Sequence, residues 1–495
     1  MIDEKEILRR RDMREVFTFT IDPADAKDFD DAISFEIIND QMVNYRIGVH
    51  IADVSHYVKP GTKTDDEAYK RGTSVYLVDR VIPMLPEELC NDLCSLRPGE
   101  DKLCMSVIFT MDRDARVLKH KICRTVIRSD ARLNYDEAQA IIMANQTGVE
   151  KPIDFWLRKG KVDGESEPTE TCRTMIEPCI GVNQTSDTLA RDYRTGINTG
   201  ASADLIQAIC TLNDMASKLR AERIANGALT IEQDEMRFHL DEHHHPVDIY
   251  FESPNESHHL IEEFMLLANR TVAREAGSGR PFVYRVHDIP DQEKLENLKV
   301  FKRKMGSRVT QQTIDMLTIR AQAKAVYSTY NIGHYGLAFT HYTHFTSPIR
   351  RYPDLMVHRL VGKYILTGKK ETLTREQLEE MCEHCSACEQ EAAQAERESI
   401  KMFQAMWMAD HIGETMDGHI SGVTDFGLFV QLDESRCEGL VHVASLGQNG
   451  EYWQFDEKNY RLVCEGHKSF TLGDPVKVKV LRADVNKSQI DFELV

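Results

Sequence analysis

Ten residues, Asp22 to Asp31 within FTFTIDPADAKDFDDAISFEI, carry five carboxylates: Asp22, Asp25, Asp28, Asp30 and Asp31. β-Branched and aromatic residues flank the run on both sides, so it reads as a connection between two strands. Asp is a poor strand and helix former and like charges repel, so this density gives a fold nothing by itself. A multivalent cation resolves the conflict. Hard oxygen donors from one tight connection suit Mg²⁺ or Mn²⁺, which keep some waters and take phosphate oxygens as further ligands. Two such ions can stabilise the attacking and leaving oxygens of phosphodiester cleavage. The plain alternative is a solvated acidic surface loop. An EF-hand calcium loop fails for want of Gly at its sixth position and Glu at its twelfth. An aspartyl-phosphate site would want Thr or Val after Asp28-Phe29-Asp30, where Asp31 stands.

The surrounding pattern predicts more than one domain, since 495 residues exceed a single ordinary core. Runs Val16–Ile21, Ala32–Ile37, Val43–Ile51 and Leu103–Met111 read as strands. From Tyr135 the period changes. Leu205, Ile206, Ile209, Leu212, Met215 and Leu219 form a helical stripe within Ala203–Asn226, and Leu260, Ile261, Phe264, Leu267 and Val272 form another within Glu256–Ala276. A third helix is predicted over Arg375–His411, and short Gly-punctuated strands follow Glu414. Residues 148–202 are polar and aperiodic and read as a loop insertion. With 61 Lys and Arg against 80 Asp and Glu, the net charge of −19 argues against non-specific coating of nucleic acid, but not against an enzyme with one basic channel. No apolar run is long enough to span a membrane and the N-terminal stretch lacks a signal-peptide core, so a cytoplasmic protein with reduced thiols is expected.

The pattern Asp22, Ala26, Asp28, Asp30, Asp31 resembles the signature of the ribonuclease II/ribonuclease R exoribonucleases, the RNB family. The resemblance continues through YRIGVHIADVSHYV (45–58), TSVYLVDRVIPMLPEELCNDLCSL (73–96), HHLIEEFMLLAN (258–269), IGHYGLAFTHYTHFTSPIRRYPDLMVHRL (332–360) and AERE (395–398). It implies an α+β catalytic domain, a mixed sheet with long helices, over 1–412, followed over 413–495 by an all-β OB-fold barrel of the S-one RNA-binding type. The activity implied is processive 3′→5′ hydrolysis of single-stranded RNA to nucleoside 5′-monophosphates, with Mg²⁺ (Mn²⁺ as the alternative) in two sites. Asp22, Asp28 and Asp31 match the family's metal ligands, and Asp30 matches the aspartate most needed for cleavage. Arg350 matches an arginine on the scissile phosphate, with Arg351 beside it as a further RNA contact, and Glu396 matches a glutamate near the reaction. Tyr76 would stack on a base and Glu262 would touch the terminal nucleotide. Phe426, Phe429 and His442 would present stacking side chains on the barrel.

Some features point elsewhere. Relatives usually carry two cold-shock domains ahead of the catalytic domain, and this chain starts almost at the first catalytic strand, which implies weaker RNA capture. Ile231 stands where relatives often have a Phe opposite the stacking Tyr, and Lys304–Val309 is shorter than its counterpart. A non-enzymatic RNA-binding regulator is therefore the rival expectation. An RNA helicase or a ribosome-associated factor is an open partner class, and a monomer is expected. Cys382, Cys385 and Cys388 lie in a helical stretch and are read as thiols rather than metal ligands. His243 to His245 read as an exposed loop, Cys90 and Cys94 as buried thiols, and no phosphate-cradling P-loop is present.

Overall fold

The computed structural model describes residues 2–495 apart from 40–43, 148–201, 231–233, 294–295, 297–298, 301–302, 304–313, 315–316, 320, 370, 447–451 and 465–468. The insertion read at 148–202, except Ser202, and the expectations for Ile231 and Lys304–Val309 lie outside the described residues.

The N-terminal part is built on a seven-stranded sheet. Its strands are β1 (Arg11–Asp12), β2 (Thr18–Asp22), β3 (Asp31–Asn39), β4 (Asn44–Ala52), β7 (Asp101–Met111), β8 (Val117–Arg128) and β9 (Ala131–Asn134), in the order β1-β8-β7-β4-β3-β2-β9. Helix α1 (Lys63–Arg71) and a hairpin, β5 (Val75–Tyr76) with β6 (Val81–Ile82), fill the β4–β7 connection. Antiparallel pairing dominates, but β9 runs parallel to β2 and β1 runs parallel to β8, so the sheet is mixed. Strands β2 and β7 are buried along almost their whole length because helices cover the sheet, which explains near-continuous rather than alternating apolar runs.

Helices α2 (Tyr135–Thr147), α3 (Ser202–Ala225) and α4 (Glu256–Gly277) pack together and onto the sheet. Helix α4 starts at a capping box in which Asn255 and His258 satisfy each other's backbone donors. Its expected stripe, Leu260, Ile261, Phe264, Leu267 and Val272, is buried throughout. On α3 the stripe is narrower than the sequence suggested: Leu205, Ile209, Leu212, Met215 and Leu219 are buried, whereas Ile206 faces outward. Two ribbons, β10 (Glu235–Leu240) with β11 (Pro246–Glu252) and β12 (Tyr284–Val286) with β13 (Val326–Ser328), bracket α4 in sequence. His243 to His245 lie in the β10–β11 turn, where His245 bonds Asp410 at 2.7 Å.

Helix α5 (Tyr352–Val361) carries Pro353 in its first turn, and α6 (Arg375–Ala409) opens on a Thr374/Gln377 capping box. Cys382 and Cys385 are buried on α6, and Cys90 and Cys94 are buried elsewhere in the core. The chain leaves α6 at Ala409 and enters β14 (Thr415–Val423). With β15 (Gly427–Leu432), β16 (Glu438–His442), β20 (Pro475–Asp484) and β21 (Gln489–Leu494) it closes a five-stranded barrel, ordered β14-β15-β16-β21-β20. A small sheet of β17 (Trp453–Asp456), β18 (Arg461–Cys464) and β19 (Ser469–Thr471) is inserted between β16 and β20. The architecture is thus an α+β domain with a mixed sheet followed by an OB-type barrel, which packs on α6.

One glycine ties α1 to the hairpin. Gly72 ends α1 at φ +68°, and a Cβ built there would lie 2.5 Å from Cys388 Cβ. Its carbonyl accepts a hydrogen bond from Tyr352 N at the start of α5. Gly72→Ala is therefore expected to lower unfolding stability by roughly 2–4 kcal/mol, combining backbone strain with a forced shift of α6. An unchanged urea midpoint would contradict this packing.

Candidate active site

Strand β2 ends at Asp22 and β3 begins at Asp31, so the acidic connection emerges at one end of the sheet. It does not dangle. Pro23 to Ala26 close a β-turn through Ala26 N donating to Pro23 O at 3.1 Å. Phe29 is 5% exposed and anchors the second half. Phe29 N donates to Ser95 Oγ at 3.1 Å, Ser95 Oγ donates to Lys27 O at 2.7 Å, and Leu96 N donates to Phe29 O at 3.0 Å. Ala52 N then donates to Asp30 O, locking the last residue of the connection onto β4. Burial of Asp22, Phe29 and Asp30 thus fixes both ends of the acidic run, while Pro23 to Asp25 and Lys27 remain exposed, so it is not a wholly solvated loop.

The TSPIRRYPD segment meets this connection from the other side of the fold. Ile349 N donates to Asp30 Oδ1 at 2.9 Å, and Arg350 Nε lies 3.6 Å from Asp30 Oδ2. Arg350 is half-exposed, its Nη2 donating to Ser347 Oγ at 3.1 Å. Its backbone carbonyl accepts from Ser74 N and Thr73 Oγ1, which carries the Tyr76 hairpin. Arg351 turns the other way: its guanidinium grips Asp354 through two bonds of 2.9 and 2.8 Å, so it braces α5. Asp354 also accepts from Ser347 N at 2.7 Å.

Tyr76 is 40% exposed beside Arg350, Asp28 and Asp30, whose charges it senses. Glu396 of α6 accepts a 3.1 Å hydrogen bond from Tyr76 N, and Ser399 Oγ accepts one from Val78 N. Glu262 on α4 is half-exposed and lies 3.3 Å from Arg223, which it shares with the buried Glu263. Phe426 and Phe429 meet edge-on at 5.9 Å and line a cleft of about 610 Å³ between the barrel and α6, together with Glu398, Lys401 and Lys487. His442 is exposed at the end of β16 and its Nδ1 accepts from Ala444 N. Asp22, Asp28, Asp30, Asp31, Arg350 and Tyr76 therefore share one site with Glu396 behind it, while the barrel aromatics form a separate surface.

Two residues at this site escaped the sequence reading. Tyr135, at the start of α2, stacks on His258 at 3.8 Å and lies close enough to Asp22 and Asp31 to feel their charge. Arg132 on β9 reaches over the acidic turn. A strand residue that pairs with β2 only through a parallel crossover gives no local signal, so spacing could not have found it.

The electrostatics of the cluster are unusual. Burial pushes Asp22, Asp28 and Asp30 above the ordinary carboxylate range, with neighbouring aspartates adding to the rise and Arg350 or Arg132 opposing it. Burial likewise pushes Asp31 up to about 6, against the pull of Arg350. The donor set is all oxygen, and Asp22 Oδ2 is buried without a hydrogen-bond partner. Those features fit a hard divalent cation, although among the described residues no three acidic, His or Cys side chains are already arranged as a coordination sphere. A carboxyl whose folded value is raised supports the fold below its unfolded value and loses that support as pH climbs through the folded one. Asp31→Asn, which cannot ionise, is therefore expected to gain roughly 1–3 kcal/mol over the parent chain on going from pH 4 to pH 7.5 in EDTA. Parallel urea curves at both pH values would contradict the assignment.

The RNB domain model matches residues 10–367 and the S1 RNA binding domain model matches 410–494. Ribonuclease R of Thermotoga maritima is 38% identical over 526 residues, and that of Aquifex aeolicus is 38% identical over 520. Both alignments cover 100% of this chain but 66% of the relative, so the chain spans just under two thirds of their length. Among solved structures, Mycoplasma genitalium RNase R in complex with ribose methylated single-stranded RNA superposes with a TM-score of 0.81 at 25% identity, covering all of this chain and 73% of that one.

Proposed function

The chain belongs to the RNB family, and from that premise we propose that it is a metal-dependent 3′→5′ exoribonuclease, acting processively on single-stranded RNA and releasing nucleoside 5′-monophosphates. Residues 1–412 would form the catalytic unit and 413–495 an RNA-binding barrel. The observation that carries the reading is the contact between the acidic connection and the TSPIRR segment. Asp30 takes the Ile349 amide on one oxygen and faces the Arg350 guanidinium with the other.

Asp22, Asp28 and Asp31 would hold the cations, Mg²⁺ by the hardness of the donors and two in number by the count of carboxylates. Bound there, they would lower the pKa of water and neutralise phosphate charge. Asp30, held by the Ile349 amide on one oxygen, sets its other oxygen 3.6 Å from the Arg350 Nε, and cations beside it would favour its ionised form. Beyond the Nη2 donation to Ser347 Oγ, the half-exposed Arg350 guanidinium has further N–H groups to offer a non-bridging phosphate oxygen, and its charge meets the negative charge that grows during in-line displacement. Tyr76 offers an aromatic face to a base, a contact worth roughly 1–3 kcal/mol that tolerates any sequence. Glu396 acts through Tyr76, holding the hairpin backbone. Hydrolysis adds water across the P–O3′ bond, leaving phosphate on the departing nucleotide and a 3′-hydroxyl on the shortened strand.

Among the described residues no helix is long and apolar enough to cross a membrane. Single-stranded RNA is the proposed partner, threading past the barrel cleft. The test is a uniformly labelled single-stranded RNA incubated with the chain and Mg²⁺. Release of 5′-mononucleotides without a ladder of intermediates, halted by EDTA, is expected. Tight RNA binding with no mononucleotide released would replace the enzyme with a binding regulator on the same scaffold.

A further inference from the structure

The acidic connection needs something to hold its middle. Its second half is anchored by Phe29 and Ser95, and its first residue by β2. Between them the Pro23–Ala26 turn projects three carbonyls from the end of the sheet, and one side chain collects them. Arg132 Nη2 lies 2.8 Å from Ala24 O and 3.3 Å from both Pro23 O and Ala26 O. The same guanidinium lies over the Phe29 ring, 4.9 Å from its centroid, so it touches both halves of the connection. Its own strand is fixed: β9 pairs with β2 in parallel register, Thr20 opposite Arg132 and Asp22 opposite Asn134. Arg132 Nε is buried without a partner, so the guanidinium is held to the turn through its outer nitrogen Nη2.

We propose that Arg132 is a positioning residue for the cation site, a rivet between β9 and the acidic turn that holds Asp22 and Asp28 in mutual reach. The inference rests on the metal reading given above. Its physical interest lies in a conflict of sign. A guanidinium beside carboxylates that bind cations repels those cations, so as a bare charge Arg132 would weaken metal affinity. As a rivet it strengthens affinity, because the carboxylates on either side of a loosened turn would spread apart under their own repulsion. Replacing it therefore separates the two roles. All three carbonyls meet one nitrogen, Nη2, at the tip of a rigid plane that also lies over the Phe29 ring, whereas an ammonium is a point charge on a flexible stem and offers no such plane.

The experiment is Mn²⁺ binding to the full chain, followed by the electron paramagnetic resonance of free Mn²⁺, for the parent, Arg132→Ala and Arg132→Lys, with thermal melting of each. Loss of a residue that orients metal ligands typically costs 10–100-fold in affinity, so Arg132→Ala is expected to bind roughly 10-fold or more weakly. Arg132→Lys, which keeps the charge and loses the plane that rests on Phe29, is expected to stay weak, with a melting temperature near that of the parent. Tighter binding in Arg132→Ala, or an unchanged isotherm in both variants, would overturn the proposal. A parent chain that binds no Mn²⁺ would instead overturn the metal reading beneath it.

Discussion

Asp30→Asn is expected to cut mononucleotide release by roughly 10²–10³-fold, the scale of deleting one preorganised electrostatic group, while RNA binding and the fold persist. The substitution is nearly isosteric, and Asn Oδ1 can still accept the Ile349 amide that Asp30 Oδ1 accepts at 2.9 Å. What disappears is the charge facing Arg350 Nε at 3.6 Å. The amide nitrogen that replaces that oxygen is a donor facing a donor. Stability should move the other way. Burial lifts the Asp30 carboxyl well above its ordinary value, so its ionised form opposes folding at neutral pH in the absence of cations. Removing that charge is expected to raise the melting temperature in EDTA at pH 7.5, the usual exchange of activity for stability at a strained polar site. Single-turnover cleavage of labelled RNA, filter binding and melting check the three parts separately. A variant that cleaves at the parent rate would remove Asp30 from the reaction, and one that melts lower would show that the charge is structural.

How much of this was legible in the sequence depends on whether the signal was local. The acidic connection stood out because five carboxylates between two strand-like runs are visible without any partner. The burial that makes them unusual was not, since Phe29 packs against a segment more than sixty residues away through Ser95. Helix α4 was read almost to the residue because its stripe repeats cleanly, whereas α3 misled at Ile206, which lies a third of a turn off the buried face. The β10–β11 ribbon, the short α1 and the β17–β19 sheet gave too few residues for periodicity to register. Arg351 illustrates the remaining gap. Two adjacent arginines look alike in a sequence, but one faces Asp30 while the other is taken by Asp354 three residues on. Only the turn geometry before α5 distinguishes them. The role of Arg132 was invisible for the same reason: its three carbonyl partners belong to a strand connection more than one hundred residues earlier.

Arg350→Ala is expected to lower the maximal cleavage rate by roughly 10²–10³-fold with a much smaller change in RNA affinity, because its guanidinium is aimed at charge that develops during the reaction. The structure makes this variant unusually clean. The hairpin bearing Tyr76 is tied to the carbonyl of Arg350, through Ser74 N and Thr73 Oγ1, and the Asp30 contact of the segment runs through the Ile349 amide. Truncating the side chain leaves all three bonds in place, so lost activity would report the guanidinium and not a collapsed wall. Arg350→Lys is expected to recover only part of the rate, since an ammonium restores the charge but not the two-pronged geometry. Asp30 and Arg350 face each other, so their effects should not add: the double variant Asp30→Asn/Arg350→Ala is expected to be little slower than the worse single one. Full additivity would mean that the two act at separate steps, and the contact between them would then be a packing detail rather than part of the reaction.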